Sequence, residues 1–513
     1  MTDDGKKPWT RSARELAAEI AAGELSATEA VESHIARIEE VNAKLNAVVW
    51  KRYEAARAEA KAADARRAAK EPLGPLHGVP ITVKECLDLE GSPSTFGIVA
   101  RKDHRAAIDE PHVARLRAAG AIVLGKTNVA QLLMYLESDN PVYGLTRNPW
   151  AGDRTPGGSS GGQAAVVAAG GSPLGLGTDI GGSNRVPAAF CGVVGFKPTT
   201  GRTPDMGRGS IPVGQQAIRS QVGVFARDVA DAELGLRIAA GGTEGVPPLG
   251  DPASVAVASL RVGWFDDDSI FAPTPASRRA VAEAAEILGR LGARVTAWRP
   301  PDPEAARGHF YGLLAADRFA GERRALGSTA RDPRIKLLED AATLPRPVVD
   351  LMLWATGRRR TAEIMRYFGP YDTDTYWRRV EALMDYQAKA LSELGDIDVV
   401  LSPASPLPAL RHGASAEVGV MGIYSNVYNV LGWPAGVIPF TRVRAGEGSQ
   451  RPVNRDPHDV AARETERAAE GMPIGVQLAA RPWRDHVALA AMAALEREAR
   501  GRDGYPATPV YLL

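Results

Sequence analysis

Cysteine is scarce in this sequence. The 513 residues contain only Cys86 and Cys191, with no CxxC spacing and no histidine cluster beside them. That argues against a disulfide framework and against a zinc site, so no metal is expected. A reducing compartment suits such a chain, and a cytoplasmic location is the expectation. Long hydrophobic runs are missing too. No stretch of eighteen apolar residues occurs, and the opening MTDDGKKPWTRSARELAAEI lacks the apolar core and cleavage site of an export signal, so neither a transmembrane segment nor export is expected. An excess of one charge is also absent: 62 Lys plus Arg face 61 Asp plus Glu, a net charge of +1. This weighs against a dedicated nucleic-acid binder.

What is present is an ordinary globular composition, 44% hydrophobic and 24% charged, enough to bury a large core. Length alone leaves several domains or one large α/β enzyme open. Ser12 to Glu15 and Ser26 to Glu29 read as capping boxes, each opening a helix, and residues 51–70 have strong helix propensity. From Pro72 the texture changes. Short apolar runs such as Gly78 to Lys84, Ala121 to Gly125 and Val193 to Phe196 alternate with glycine-rich turns and helical segments at 111–119 and 163–169. This predicts an α/β/α fold in a single large domain over 9–505, with a mixed, mainly parallel central sheet covered by helices on both faces.

Two further regions stand out. Residues 303–394 are helical in pattern and carry an aromatic, apolar run that includes Leu351, Met352, Leu353, Trp354, Phe368 and Trp377. They are expected to form a helical cap beside the site, with plain packing onto the core as the equal alternative. Arg358, Arg359 and Arg360 read as a solvated face. Residues 443–471 are polar and read as a surface insertion between two apolar segments. A strand at 473–479 and a helix at 485–499 close the core.

The chemistry concentrates in two serine-glycine clusters, Pro156 to Gln163 and Gly177 to Ser183. Either one alone would serve equally as a phosphate loop, an oxyanion hole or a tight turn. Lys84 changes the weighing. An apolar strand, Val79 to Val83, delivers its ammonium toward the interior, where burial disfavours the charged form and makes a neutral, proton-accepting amine attainable.

Here the sequence resembles the amidase signature family along the whole chain. Gly78 to Lys84 matches the lysine motif, GGSSGG the bridging-serine motif, and Gly177 to Gly192 the nucleophile motif, with 75 residues from Lys84 to Ser159 and 24 from Ser159 to Ser183. The signature core runs over about 72–205. The resemblance implies Ser183 as nucleophile, Ser159 as bridging serine after a cis peptide bond, and Lys84 as base, with no cofactor. It implies an oxyanion hole from the amides of Ile180, Gly181, Gly182 and Ser183, buttressed by Ser160, Asp179, Arg185 and Cys191. Asn184 departs from the family's usual apolar residue and is expected to alter the polarity of the substrate pocket.

Within the family, Tyr424 to Pro439 most resembles fatty acid amide hydrolases and bacterial aryl acylamidases. Leu133, Met134 and Tyr135 fall where such enzymes line the acyl pocket, ordinary helix packing being the competing reading. The expected reaction is hydrolysis of amide-type C–N bonds of a small molecule, with esters and carbamates (urethanes) as further substrates. A homodimer is left open. The alternatives are a glutamine-hydrolysing subunit of an amidotransferase, an α/β-hydrolase using Ser160 in a G-x-S-x-G elbow, and a nucleotide-binding module.

Overall fold

The computed structural model describes residues 7–203, 214–242 and 244–510. Residues 204 and 205, the end of the expected signature core, lie outside the described residues. Eleven strands form one sheet: β1 (Val48–Lys51), β2 (Pro80–Lys84), β3 (Ile122–Thr127), β4 (Leu174–Asp179), β5 (Val194–Lys197), β6 (Gln221–Ala226), β7 (Arg261–Trp264), β8 (Arg294–Ala297), β9 (Val399–Pro403), β10 (Ala435–Arg442) and β11 (Pro473–Ala480). Their spatial order is β1-β3-β2-β4-β6-β5-β10-β11-β9-β7-β8. Seventeen α-helices among the described residues flank the sheet.

The sheet is mixed, as the sequence suggests, but parallel pairing is the minority. β2 pairs parallel with β3 and β4, and β7 with β8 and β9. The remaining six pairings are antiparallel. Burial explains why the sequence misleads here: β2, β3, β4, β5, β6, β9 and β11 are buried at every residue. Such strands read as continuous apolar runs whatever their direction, since alternation appears only when one face meets water.

Local signals behave as their chemistry dictates. Both capping boxes form, with Ser12 and Glu15 opening the helix Ala13–Ala22 and Ser26 and Glu29 opening Ala27–Leu45. Residues 303–393 contain six helices. Their apolar run divides by direction: Val349, Leu353 and Met365 pack together, whereas Leu351, Met352, Trp354 and Trp377 are exposed. Segment 443–471 is not all surface loop. It contains the helix Pro457–Glu466, in which His458, Ala462 and Thr465 are buried.

Candidate active site

β2 ends at Lys84 and its parallel neighbour β4 ends at Asp179, with Val83 level with Leu176. Parallel strands put their carboxyl ends on one edge of the sheet, where α/β folds gather functional groups. Lys84 is wholly buried there. Its Nζ lies 2.8 Å from Ser159 Oγ, 2.8 Å from Thr178 Oγ1 and 3.5 Å from the Thr178 carbonyl oxygen. Ser159 stands just before the helix Gly161–Ala168, and the Gly158–Ser159 peptide bond is cis. Thr178 was missed at the level of sequence. Only the fold brings it to Lys84, 94 residues away.

Ser183 lies in the turn between β4 and the helix Arg185–Cys191. Asp179 organises that turn. Its Oδ1 accepts the Gly182 N–H at 2.8 Å, and its Oδ2 accepts the Asn184 N–H at 3.2 Å. Both oxygens accept from Arg185 at 3.0 Å. Burial alone would raise this carboxyl's pKa, but the Arg185 guanidinium holds it well below the usual carboxylate range. Arg185 donates further to the Ser425 carbonyl at 2.8 Å, Gln477 Oε1 at 2.8 Å and Asn429 Oδ1 at 2.6 Å. All five guanidinium N–H groups are thereby engaged. Ser425 and Asn429 lie in the segment 424–439 that carries the family resemblance, but their bonds to Arg185, like that of Gln477, are revealed only by folding.

One expectation about this turn is corrected. The Gly182 amide is bonded to Asp179, so of the four amides assigned to an oxyanion only those of Ile180, Gly181 and Ser183 remain for it.

A second correction concerns Asn184. It does not line the cavity but is wholly buried beneath it, accepting from Ser160 Oγ at 3.4 Å and donating to the Phe196 carbonyl at 3.4 Å. Two glycines make the room. Gly177 and Gly223 face each other across β4 and β6, and a Cβ on either would come within 2.4 and 2.3 Å of the Asn184 amide. The side chain is drawn into the sheet instead of the pocket.

Ser160 is also fully buried, its one hydroxyl proton shared between the Thr178 carbonyl at 3.3 Å and Asn184 Oδ1 at 3.4 Å. No strand leads into it; between the end of β3 at Thr127 and Ser160 the described chain holds no strand, only an isolated bridge at Arg154. A nucleophile elbow needs that strand and an exposed hydroxyl, so the Ser160 alternative fails. Cys191 Sγ meets the Pro156 carbonyl at 3.5 Å, and burial pushes its thiol well up, which leaves it inert.

A cavity of about 300 Å³ opens onto Ser183. Lys84 and Ser159 are not in its wall, so Ser183 alone of the three faces it. Leu133, Met134 and Tyr135 line it, joined from residues 303–394 by Phe310, Leu353 and Phe368. Arg358 is in the wall as well and pairs with Glu417 at 2.6 Å, so the three arginines are not simply a solvated face. His458 reaches the cavity from the segment expected to be a surface insertion. No cluster of metal-ligating side chains occurs among the described residues, and none of their helices is long and apolar enough to cross a membrane.

The chain has counterparts among known proteins. The family model described as "Amidase" matches residues 29–489. Fatty-acid amide hydrolase 1 of Sus scrofa is 34% identical over 506 residues, covering 94% of this chain and 85% of the relative. A glutamyl-tRNA(Gln) amidotransferase subunit of Anaeromyxobacter dehalogenans is 33% identical, covering 97% and 98%. The solved structure of a fatty acid amide hydrolase superposes with a TM-score of 0.83 at 25% identity, covering 98% of this chain and 87% of that one. The chain belongs to the amidase signature family and is a hydrolase of non-peptide amide C–N bonds.

Proposed function

We propose that Ser183 is the nucleophile, Ser159 the proton relay and Lys84 the base. One observation carries this reading: Lys84 Nζ is bonded to Ser159 Oγ at 2.8 Å in a buried position, while Ser183 alone opens to the cavity. Burial favours the neutral amine, which has two N–H groups and one lone pair. Thr178 accepts from the amine through its Oγ1 at 2.8 Å and its carbonyl oxygen at 3.5 Å, and the lone pair of the neutral amine can take the Ser159 proton. As Ser183 Oγ bonds to the acyl carbon, its proton passes to Ser159 Oγ and the Ser159 proton to Lys84 Nζ. The amides of Ile180, Gly181 and Ser183 receive the negative charge on the acyl oxygen. The C–N bond then breaks, the proton returns along the same path to the leaving nitrogen, and water cleaves the acyl-enzyme by the same relay.

The apolar wall favours substrates with an aryl or alkyl group on the acyl side, and esters and carbamates meet the same chemistry. The two buried free thiols fit a cytoplasmic location. The decisive experiment pairs a hydrolysis screen over aryl, alkyl, ester and carbamate substrates with covalent labelling by a fluorophosphonate. Labelling mapped to Ser183, and lost in Ser183→Ala, is expected. Labelling at Ser160, or glutamine as the sole substrate, would refute the reading.

A further inference from the structure

The loop 131–139 contributes four cavity residues, Leu133 to Leu136, and its backbone is unusual. Leu132, Leu133 and Tyr135 have φ of +56°, +59° and +67°, a left-handed region costly for such side chains, so the surroundings must impose it. Contacts on both sides do so. On the helical side, Arg334 Nη1 pairs with Glu137 at 2.9 Å and Nη2 with Asp139 at 2.9 Å, while Tyr135 OH donates to the Arg334 carbonyl at 2.8 Å. Gln131 reinforces the seam, donating to the Ala330 carbonyl at 2.9 Å and accepting the Asp332 N–H at 2.7 Å. Glu137 is 1% exposed and also accepts the N–H groups of Gly413 at 2.9 Å and Ser415 at 3.0 Å.

On the other side the loop grips the turn that carries Ser159. Ser138 Oγ accepts the Gly161 N–H at 2.8 Å and donates toward the Gly157 carbonyl at 3.1 Å. Gly158 lies so close to the loop backbone that a Cβ there would stand 2.6 Å from both the Tyr135 oxygen and the Glu137 nitrogen. A shift of residues 135–138 therefore moves Gly157–Gly161 with it, because close-packed backbone leaves no slack. A hydroxyl that hands on a proton tolerates little displacement.

We propose that the Arg334–Glu137 ion pair is a positioning unit for the reaction, which fixes the Tyr135–Ser138 backbone and through it holds the Ser159 hydroxyl beside Lys84. Arg334 is itself in the cavity wall, but its guanidinium is taken up by Glu137, Asp139 and Asp332, and it acts through the loop. The inference rests on Ser159 being the relay. It assigns the helical region a part in the chemical step, beyond forming a wall around the substrate.

The test measures kcat and KM of the full-length enzyme for a short anilide and a long-chain anilide, in Arg334→Met, Arg334→Lys, Ser138→Ala and Tyr135→Phe. Turnover by the wild type and its loss in Ser183→Ala are established first; failure there refutes the triad and not the positioning unit. The expected result is a kcat at least tenfold lower in Arg334→Met for both anilides, with KM within about twofold and partial recovery in Arg334→Lys. Ser138→Ala deletes the far end of the same chain of contacts without leaving a buried charge, so it reads the effect even where Arg334→Met fails to fold. It is expected to lower kcat in the same manner, and Tyr135→Phe to do so more weakly. A rise in KM at unchanged kcat, or full kcat in Ser138→Ala, would overturn the inference.

Discussion

Lys84 Nζ and Ser159 Oγ stand 2.8 Å apart although 75 residues separate them in the chain. Thr178 holds the same amine from the other side at 2.8 Å. The proposed proton path is therefore built from three segments, the ends of β2 and β4 and the turn before the helix Gly161–Ala168.

Replacing Lys84 by Ala removes the proposed base and is expected to lower kcat by about 10²- to 10⁴-fold, while variants of each histidine are expected to keep activity. The base must be neutral to accept a proton, so the wild-type rate should fall as pH is lowered. Rates flat down to about pH 5 would contradict this. A pH–rate profile of wild type and Lys84→Ala checks both points.

Thr178→Val keeps the shape of the side chain and deletes the Oγ1 acceptor. The Lys84 lone pair is then no longer directed at Ser159, and kcat should drop about tenfold or more with KM nearly unchanged. Steady-state kinetics on one amide suffice.

Asp179→Asn strips the buried Arg185 of its counter-charge. Breaking one side of such a pair costs about 3–5 kcal/mol, readable as a lower denaturation midpoint. The sign with pH follows from the carboxyl being held low. Its stabilising contribution is complete above the ordinary carboxylate range and is lost only as pH falls toward its depressed value in the folded protein. The variant's deficit should therefore narrow in strong acid.

Phe310 is in the cavity wall, and its ring lies 2.7 Å from where a Cβ on Gly181 would be. Phe310→Ala should shift preference toward bulkier acyl groups, changing the kcat/KM ratio of a large to a small anilide by about tenfold or more. An unchanged ratio would place the acyl group elsewhere in the cavity.

Lys197 is fully buried, and burial first, then nearby Arg185, push its pKa down to about 7. The unfolded chain keeps this proton to about pH 10.4, so between these values the unfolded state binds more protons and stability climbs with pH. The slope from this group approaches about 1.4 kcal/mol per pH unit. Urea unfolding at pH 7.5, 8.5 and 9.5 should show the wild type gaining on Lys197→Met across that window. Lys126, pushed down to about 8 by burial, titrates in both proteins and cancels in the difference.

Much of this was legible in the sequence because the signals are local. The capping boxes at Ser12 and Ser26, the lysine strand and the two glycine clusters each declare themselves within a few residues. What resisted reading depends on distance. Strand direction in a sheet buried on both faces leaves no periodic trace. Thr178, Asn429 and Gln477 owe their roles to partners far along the chain, and Arg334 is one arginine among many until the fold sets it against Glu137. Asn184 was misread for a subtler reason: its neighbour Ser183 faces the cavity, but the space that accepts its own side chain is created by glycines on two other strands.

That space has a further consequence. Gly177 and Gly223 stand directly opposite each other, so a slip of one residue between β4 and β6 would set a side-chain-bearing neighbour against one of them and close the recess that Asn184 fills. The residue after Ser183 thus works like a key that fits only when the two strands are correctly aligned. The alignment of the two strands and the seating of the residue beside Ser183 are thus set by the same contact.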